Sequence, residues 1–581
     1  MRFELSSTLS RQVAAFVAVF ALWGLISGAW ASSFAAVTHH TLLWTEYALF
    51  FVLASEILRR HGRAFLLTTF VWFVVMIGLV TLSDYVTMPD FKTLEGTLRM
   101  RYSAYGELLV TILPLLWLAA VYRRRRMSWL IALSPAALGW TAAMLSLSKG
   151  VFIAGIVGTI CSFVAAGIFG NRVHRTRLMA TAGIWLLVTV AVQVGFSVLT
   201  PIPATVDYIS GKADPTRETS VARVFIWRTA EPLVRLHWLT GVGADNFGIA
   251  ANEGRAEFRA THPGDTTDEI NADFMLERAH NEPLQVLAEL GVPGLILFAI
   301  PFLLLAWATG RAILIRKQRP SLLFWAATGG MVAFAMSSMV SSFSFRIAPN
   351  GIAFFLVFAV AVHELSRTNR GPSMQNVLAL PKAAVAVALL ILISVFGAKA
   401  WAEYSFADGD TSADRSTAAS LFSRAVALDP DYASAHYRLS NTSFQNGDYN
   451  NAAAELQRAI DGGMGVVLTY SSLADCYQKA GDQTAEFRTF EKALSIFPRS
   501  VFLRVRYGIE LDKAQRPADA KAQLSFARAI DAKQANGWYS LITLGSVRSF
   551  YKARNDETMA PPVDLKPDVA VLQYLDRSPA Q

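Results

Sequence analysis

Four stretches of this chain place ionisable side chains where apolar sequence begins or ends. In "ERAHNEPLQVLAELGVPGLILF" (277–298), charge and a turn at His280-Asn281-Glu282-Pro283 give way directly to an apolar run. Lys149-Gly150 interrupts two apolar runs in "LSLSKGVFIAGIVG" (145–158), and Arg346 opens another in "SFSFRIAPNGIAFFLVF" (342–358). Arg223 and Arg228 stand in "ARVFIWRTAEPLVRLHWLTGVGADNF" (222–247). An imidazole exchanges a proton near neutral pH, and cations beside apolar spans are expensive enough that they usually have a functional reason. Each has a plainer alternative. Lys149 snorkels to an interface, Arg346 pairs with a structural carboxylate, Arg223 and Arg228 are surface charges, and His280 caps the helix that follows. Gly241 and Gly243 permit a tight turn or a close backbone approach to a phosphate, or form a plain turn before Phe247. Glu289 is a candidate to orient His280 or an arginine. Along a straight helix, rising about 1.5 Å per residue, it is too far from His280 for direct contact.

The elements that position these residues follow from composition. The 581 residues are 53% hydrophobic and only 17% charged, against about 25% charge in an ordinary soluble domain. Apolar runs long enough to cross a bilayer fill residues 1–400, whereas 401–581 is mixed and mostly polar. The first run, roughly Gln12–Val37, contains Ala29-Trp30-Ala31, which resembles a signal cleavage site. Its length exceeds a signal core and its basic flank is thin, so it reads as a membrane helix. Further runs near 41–58, 64–82, 107–122, 127–146, 150–170, 178–200, 284–309, 321–341, 351–366 and 383–400 give eleven spans. With the N-terminus in the cytoplasm, nineteen Lys and Arg of the short connections fall inside. Five (Lys92, Arg99, Arg101, Lys149 and Arg346) fall outside, the bias expected of a membrane protein. The net charge of +9 therefore reflects topology and requires no nucleic-acid partner. Cys161 in a span and Cys476 in the polar region provide no disulfide framework.

The polar region repeats. "RAVALDP" (424–430), "RAIDGG" (458–463), "KALSIFP" (492–498) and "RAIDAKQ" (528–534) align, with Ala425, Ala459 and Ala493 spaced by 34 residues and Ala529 following after 36. Turns recur at Gly447-Asp448, Gly481-Asp482 and Gln515-Arg516-Pro517. This period resembles the tetratricopeptide repeat, whose stacked helix pairs share a core and usually bind a peptide or protein, or else cap a neighbouring domain. The fold expected is all-α: a polytopic membrane bundle of about eleven transmembrane helices plus a C-terminal α-solenoid. The expected domains are a membrane domain at 1–400 with a large outer loop at 201–283, repeats at 401–556, and a flexible tail at 557–581 containing Pro561, Pro562 and Pro567.

Across roughly 130–365 the chain resembles the O-antigen ligase and polymerase family of bacterial envelope glycosyltransferases. The resemblance rests on Ser148-Lys149-Gly150, Arg223 to Trp227, Gly241-Val242-Gly243-Ala244-Asp245-Asn246-Phe247, and His280 to Gly294. Many relatives carry Arg in place of Lys149, and Asp-Tyr in place of Glu282-Pro283. Lys keeps the charge but loses the bidentate fork that suits phosphate. The resemblance implies transfer of an oligosaccharide from undecaprenyl diphosphate to a glycan, lipid or protein acceptor. The site implied is the periplasmic face of the inner membrane, with the repeats also periplasmic. It implies His280 as base for the acceptor hydroxyl. Arg223 and Arg346 first, then Arg228 and Lys149, would stabilise the leaving diphosphate. Gly241, Gly243, Asn246 and Asn281 are further candidates for substrate contact. The expectation is that no cofactor or metal takes part; the acidic Asp265–Asp268 stretch reads as a solvated loop. Two other classes compete. A lipid-linked-sugar transporter predicts charges at mid-membrane depth and internal repeats among the spans. A non-catalytic scaffold predicts that His280 is dispensable.

Overall fold

A computed structural model describes residues 2–5, 7–87, 102–146, 148–170, 175–199, 218–263, 276–341, 344–368 and 378–543. Its helices are α1 (Thr8–Ile26), α2 (Phe34–His61), α3 (Arg63–Thr87), α4 (Tyr102–Ala120), α5 (Arg126–Leu145), α6 (Lys149–Phe169) and α7 (Arg175–Leu199). They continue with α8 (Glu218–Leu236), α9 (Phe247–Thr261), α10 (Glu282–Gly310), α11 (Leu322–Ser338), α12 (Ala348–Thr368) and α13 (Lys382–Thr411). One short antiparallel pair, Arg2–Leu5 with Leu378–Pro381, joins them. The chain forms two compact units. The first holds Met1–Arg223, His237–Asp245 and Arg278–Val395; the second holds Val224–Leu236, Asn246–Glu277 and Phe396–Gln581. The loop expected at 201–283 thus contributes to both. Lys92, Arg99, Arg101, Asp265–Asp268 and the tail 557–581 lie outside the described residues.

Among the described residues, nine helices are long and apolar enough to cross a membrane, and two shorter apolar helices cover Tyr105–Ala120 and Leu322–Ser338. These fall on the eleven expected spans: the last, 383–400, lies within α13, and the first, Gln12–Val37, is shortened because α1 ends at Ile26 and α2 begins at Phe34. Lipid tails supply no hydrophobic drive for helix association, so close backbone packing must do so. Small residues provide it where α4, α6 and α11 meet. A Cβ added to Gly158 would lie 2.5 Å from the Gly329 carbonyl oxygen, and one on Gly330 2.1 Å from that of Thr111. Large apolar side chains such as Trp72, Met76, Leu187, Leu303 and Trp307 face outward instead, as a lipid-facing surface requires.

In the second unit, α14 (Arg415–Leu428) precedes three helix pairs: α15 (Ala433–Gln445) with α16 (Tyr449–Asp461), α17 (Val467–Ala480) with α18 (Gln483–Ile496), and α19 (Val501–Lys513) with α20 (Pro517–Ile530). A final helix, α21, covers Ala532–Thr543. The mid-pair turns need one left-handed residue each, supplied by Gly447 (φ +78°), Gly481 (φ +79°) and Gln515 (φ +60°). Asp448 and Asp482 then cap the next helix, accepting from the Asn451 and Ala485 amides. The buried alanine of the last repeat is Ala527, 0% exposed like Ala425, Ala459 and Ala493, while Ala529 is exposed. The period is therefore 34 residues throughout, and the 36-residue step expected at Ala529 is corrected: the RAI string had slipped by two positions from the packed column.

One polar cluster interrupts this core. Buried Arg506 pairs with Asp475, and Glu510 accepts from Gln478 and Lys513. Burial, and then the Glu510 charge, push the nearby Glu486 carboxyl up to about 7 against Arg506's opposing effect. The fold binds this proton more tightly than the unfolded chain does. The stabilisation is therefore complete below the ordinary Glu range near 4.5 and is lost as pH rises through about 7. Hydrogen exchange of α18 and α19 in the full chain should be slower at pH 6 than at pH 8 after correction for intrinsic rates. Glu486→Gln should flatten that difference; an unchanged difference would remove Glu486 as its source.

Candidate active site

Helix α10 starts as its sequence dictates. Asn281 is its N-cap, accepting from the Leu284 amide at 3.0 Å and donating to the Met339 carbonyl at 3.3 Å. Pro283 follows in the first turn, where its missing N–H costs nothing. His280, just before the cap, has φ +51°, a region few non-glycine residues occupy.

The helix then breaks. Gly291 adopts φ +66°, ψ −172°, backbone essentially reserved for glycine, and Pro293 has no N–H to offer Glu289. The released carbonyls find other donors. Val242 N–H donates to Ala288 at 3.0 Å, Gly243 N–H to Glu289 at 2.9 Å, and the Trp23 indole to Leu290 at 3.0 Å. Val292 N–H in turn donates to the Trp238 carbonyl at 2.8 Å. The Trp238–Gly243 turn and the break are thus one backbone joint, and it is tight. A Cβ on Gly241 would lie 2.1 Å from the Glu289 carbonyl, and one on Gly291 2.4 Å from that of Leu239.

This joint brings Asp245 and Glu289 to Arg346. The guanidinium donates to Asp245 Oδ1 at 3.1 Å and Glu289 Oε2 at 2.9 Å, and its Nε stands 3.2 Å from Glu282 Oε1. Gln285 extends the cage, donating to Glu289 Oε1 at 2.9 Å while its own oxygen accepts from the Ala279 amide. His39 of α2 shares Asp245 through Nδ1 at 2.9 Å. Aromatic rings fix the preceding residue, Phe345, against Phe334 and Phe354, and its carbonyl accepts from the Tyr47 hydroxyl. Burial opposes ionisation of Asp245, but the hydrogen bond to His39 and the charges of Arg278 and Arg346 hold its carboxyl well below the usual range. Burial likewise opposes the charge on Arg346, and Glu282, Glu289 and Asp245 more than restore it. The Arg346 side chain is 3% exposed, so it is committed to carboxylates. As a direct diphosphate contact it would have to abandon them, which turns the sequence expectation for Arg346 toward a positioning role.

The other expected residues are distributed as follows. Lys149 is exposed at the start of α6, behind its N-cap Ser148. A Cβ on Gly150 would lie 3.2 Å from Val340, the residue after Met339, so the turn ending α11 touches both the Lys149 and the Asn281 segments. Asn281 is engaged as cap and tie. Gly241 and Gly243 serve the joint, their close approach being to the Glu289 backbone. Arg223 is half-buried on α8, and burial lowers its pKa. Arg228, exposed on α8, and Asn246, buried at the start of α9, belong to the second unit. Glu289 meets an arginine, one of the two options its position left open. Sequence reasoning missed His39, Asp245 and Arg278. Asp245 lay inside a quoted motif, and the His39-His40 pair in an otherwise apolar span was the available signal. Among the described residues, no group of three or more His, Cys, Asp or Glu is arranged to hold a metal ion.

Residues 134–299 match the family described as O-antigen ligase, and residues 412–464 match a tetratricopeptide repeat. No curated protein matches it. The family match and the run of apolar helices make it a multi-pass membrane protein. The matched stretch contains Lys149, Arg223, Arg228, the whole backbone joint and His280, and ends within α10 before Arg346.

The joint predicts a specific sensitivity. Gly291→Ala should destabilise the detergent-solubilised chain by about 2 kcal/mol or more, from backbone strain and the clash with Leu239. Alanine at the unconstrained Gly183, which has open space around it, should leave the melting temperature near wild type. Equal effects at both positions would contradict the joint.

Proposed function

We propose that this chain is a glycosyltransferase of the inner membrane. In this reading it moves, or polymerises, oligosaccharide from undecaprenyl diphosphate at the periplasmic face, in O-antigen or exopolysaccharide assembly. The observation that carries the proposal is the O-antigen ligase match over 134–299, which contains a half-exposed histidine at the polar start of an apolar helix. A lipid-linked donor keeps its polyprenyl chain in the bilayer and its diphosphate at the interface, the level at which such a residue stands. The excess of basic residues on one set of connections supports the orientation.

The step is a displacement at the anomeric carbon. The acceptor oxygen bonds to that carbon while the carbon–oxygen bond to the diphosphate breaks. The hydroxyl proton passes to the His280 imidazole, and undecaprenyl diphosphate leaves with the electron pair. Arg223 and Lys149 are proposed to meet its growing charge, joined by Arg278, two residues before His280. Arg346 holds Asp245, Glu282 and Glu289 and thereby the N-terminal end of α10. A general base contributes roughly 10²–10⁴-fold, and the arginines supply electrostatic stabilisation without requiring a metal. The acceptor is another glycan, a lipid or a protein, and the repeats offer a surface for a protein partner.

His280→Ala, at matched membrane expression, should cut product by about 100-fold or more and accumulate undecaprenyl-linked oligosaccharide. Long chains retained on the lipid mark a ligase, and accumulated single repeats a polymerase. Product at the wild-type level would remove His280 from the chemistry and favour a scaffold.

A further inference from the structure

The second unit combines two parts of the chain that the sequence keeps far apart: loop helices α8 and α9, and the repeats. Its glycines point to how they meet. The repeats end in "LDP" (428–430) and "IFP" (496–498), but the intervening one reads "IDGGMG" (460–465). In place of a stiff proline stands a glycine-rich turn, and α9 lies against it. Asn252 of α9 donates from Nδ2 to the Gly465 carbonyl at 2.8 Å. A Cβ on Gly465 would come within 2.2 Å of that same nitrogen. One turn further along α9, Arg255 is fully buried. Its guanidinium carbon lies 4.7 Å from the ring centroid of Phe497, from the next repeat, and 5.1 Å from that of Phe225 of α8. Ala256 packs against the repeat core. On its other side, Gly254 lets α9 press on α8, where a Cβ would meet the Thr229 carbonyl at 2.3 Å.

We infer that the repeat array takes α9, from the 201–283 loop, as its resident ligand and through it positions α8. This rests on the ligase reading for its catalytic consequence, though not for the docking itself. Arg255 bridges a repeat aromatic and an α8 aromatic, so one side chain ties three segments. The glycine-rich turn, which the repeat pattern leaves unexplained, is accounted for as room for a helix rather than as a degenerate repeat end.

Hydrogen exchange of the full-length chain in detergent reads the docking with no substrate present. Two variants disturb it from opposite sides: Arg255→Ala from the loop, and Gly465→Ala from the repeats. Loss of stacking on two rings corresponds to about tenfold faster exchange across residues 247–261, with peptides of α17–α20 still protected. Transfer of glycan from the lipid-linked donor should fall by a similar factor, roughly tenfold, and Arg255→Lys should restore part of both. Unchanged protection of α9 in both variants would overturn the docking. Loosened α9 with transfer at the wild-type rate would overturn the positioning role. Retained transfer in His280→Ala would count against the ligase reading alone, since the exchange result is independent of it.

Discussion

A guanidinium buried in a membrane protein is tolerated only where carboxylates meet its charge, and Arg346 meets three. The desolvation cost of such a group is recovered only with good geometry, so the surrounding elements are held to it. Glu282 and Glu289 come from one helix, seven residues apart and therefore on one face. Asp245 must be delivered from a loop, and the backbone joint at Gly291 delivers it. The aromatic set around Phe345 keeps the arginine's own backbone in place. Removing any one of these would leave a buried charge without its partner.

The same constraint explains why the motif residues are of the types they are. Gly241, Gly243, Gly291 and Pro293 build a helix that opens and a turn that closes on the opening. They shape the mouth of α10, where Asn281 caps and His280 is held in a left-handed conformation. Catalytic geometry at a membrane surface needs such rigidity, because a loop beside lipid has few other contacts to fix it. In the second unit the repeats provide the corresponding rigidity for α8 and α9.

Much of the fold was legible because membrane spans and 34-residue repeats are coarse, repeated signals. Apolar length located all eleven helices, and the run expected over Gln12–Val37 overran α1, because the break between Ile26 and Phe34 leaves the apolar composition uninterrupted. The slip at Ala529 shows the limit of string matching: Ala527 holds the packed position, although Arg528-Ala529-Ile530 looks more like its counterparts. The residues around the mouth of α10 stood out in the sequence, but their contacts did not. Glu289 was too far from His280 along a straight helix, and the break at Gly291 that joins it to the Trp238–Gly243 turn depends on residues some fifty positions apart. Arg346 looked like an anion receptor because its carboxylates come from two segments far from it in sequence. His39 was marked only by its pairing with His40 in an apolar run, which does not say what it meets.

The most direct measurement is a double-mutant cycle on thermal unfolding of the detergent-solubilised chain, pairing Arg346→Met with Glu289→Gln. Arg346→Met alone should cost about 3–5 kcal/mol, because it strands buried carboxylates. Adding Glu289→Gln should recover more than about 1 kcal/mol of that loss, the non-additivity expected of groups in contact. Additive losses, or an Arg346→Met protein that melts like wild type yet no longer binds the lipid diphosphate donor, would contradict the account and return Arg346 to the role of substrate receptor.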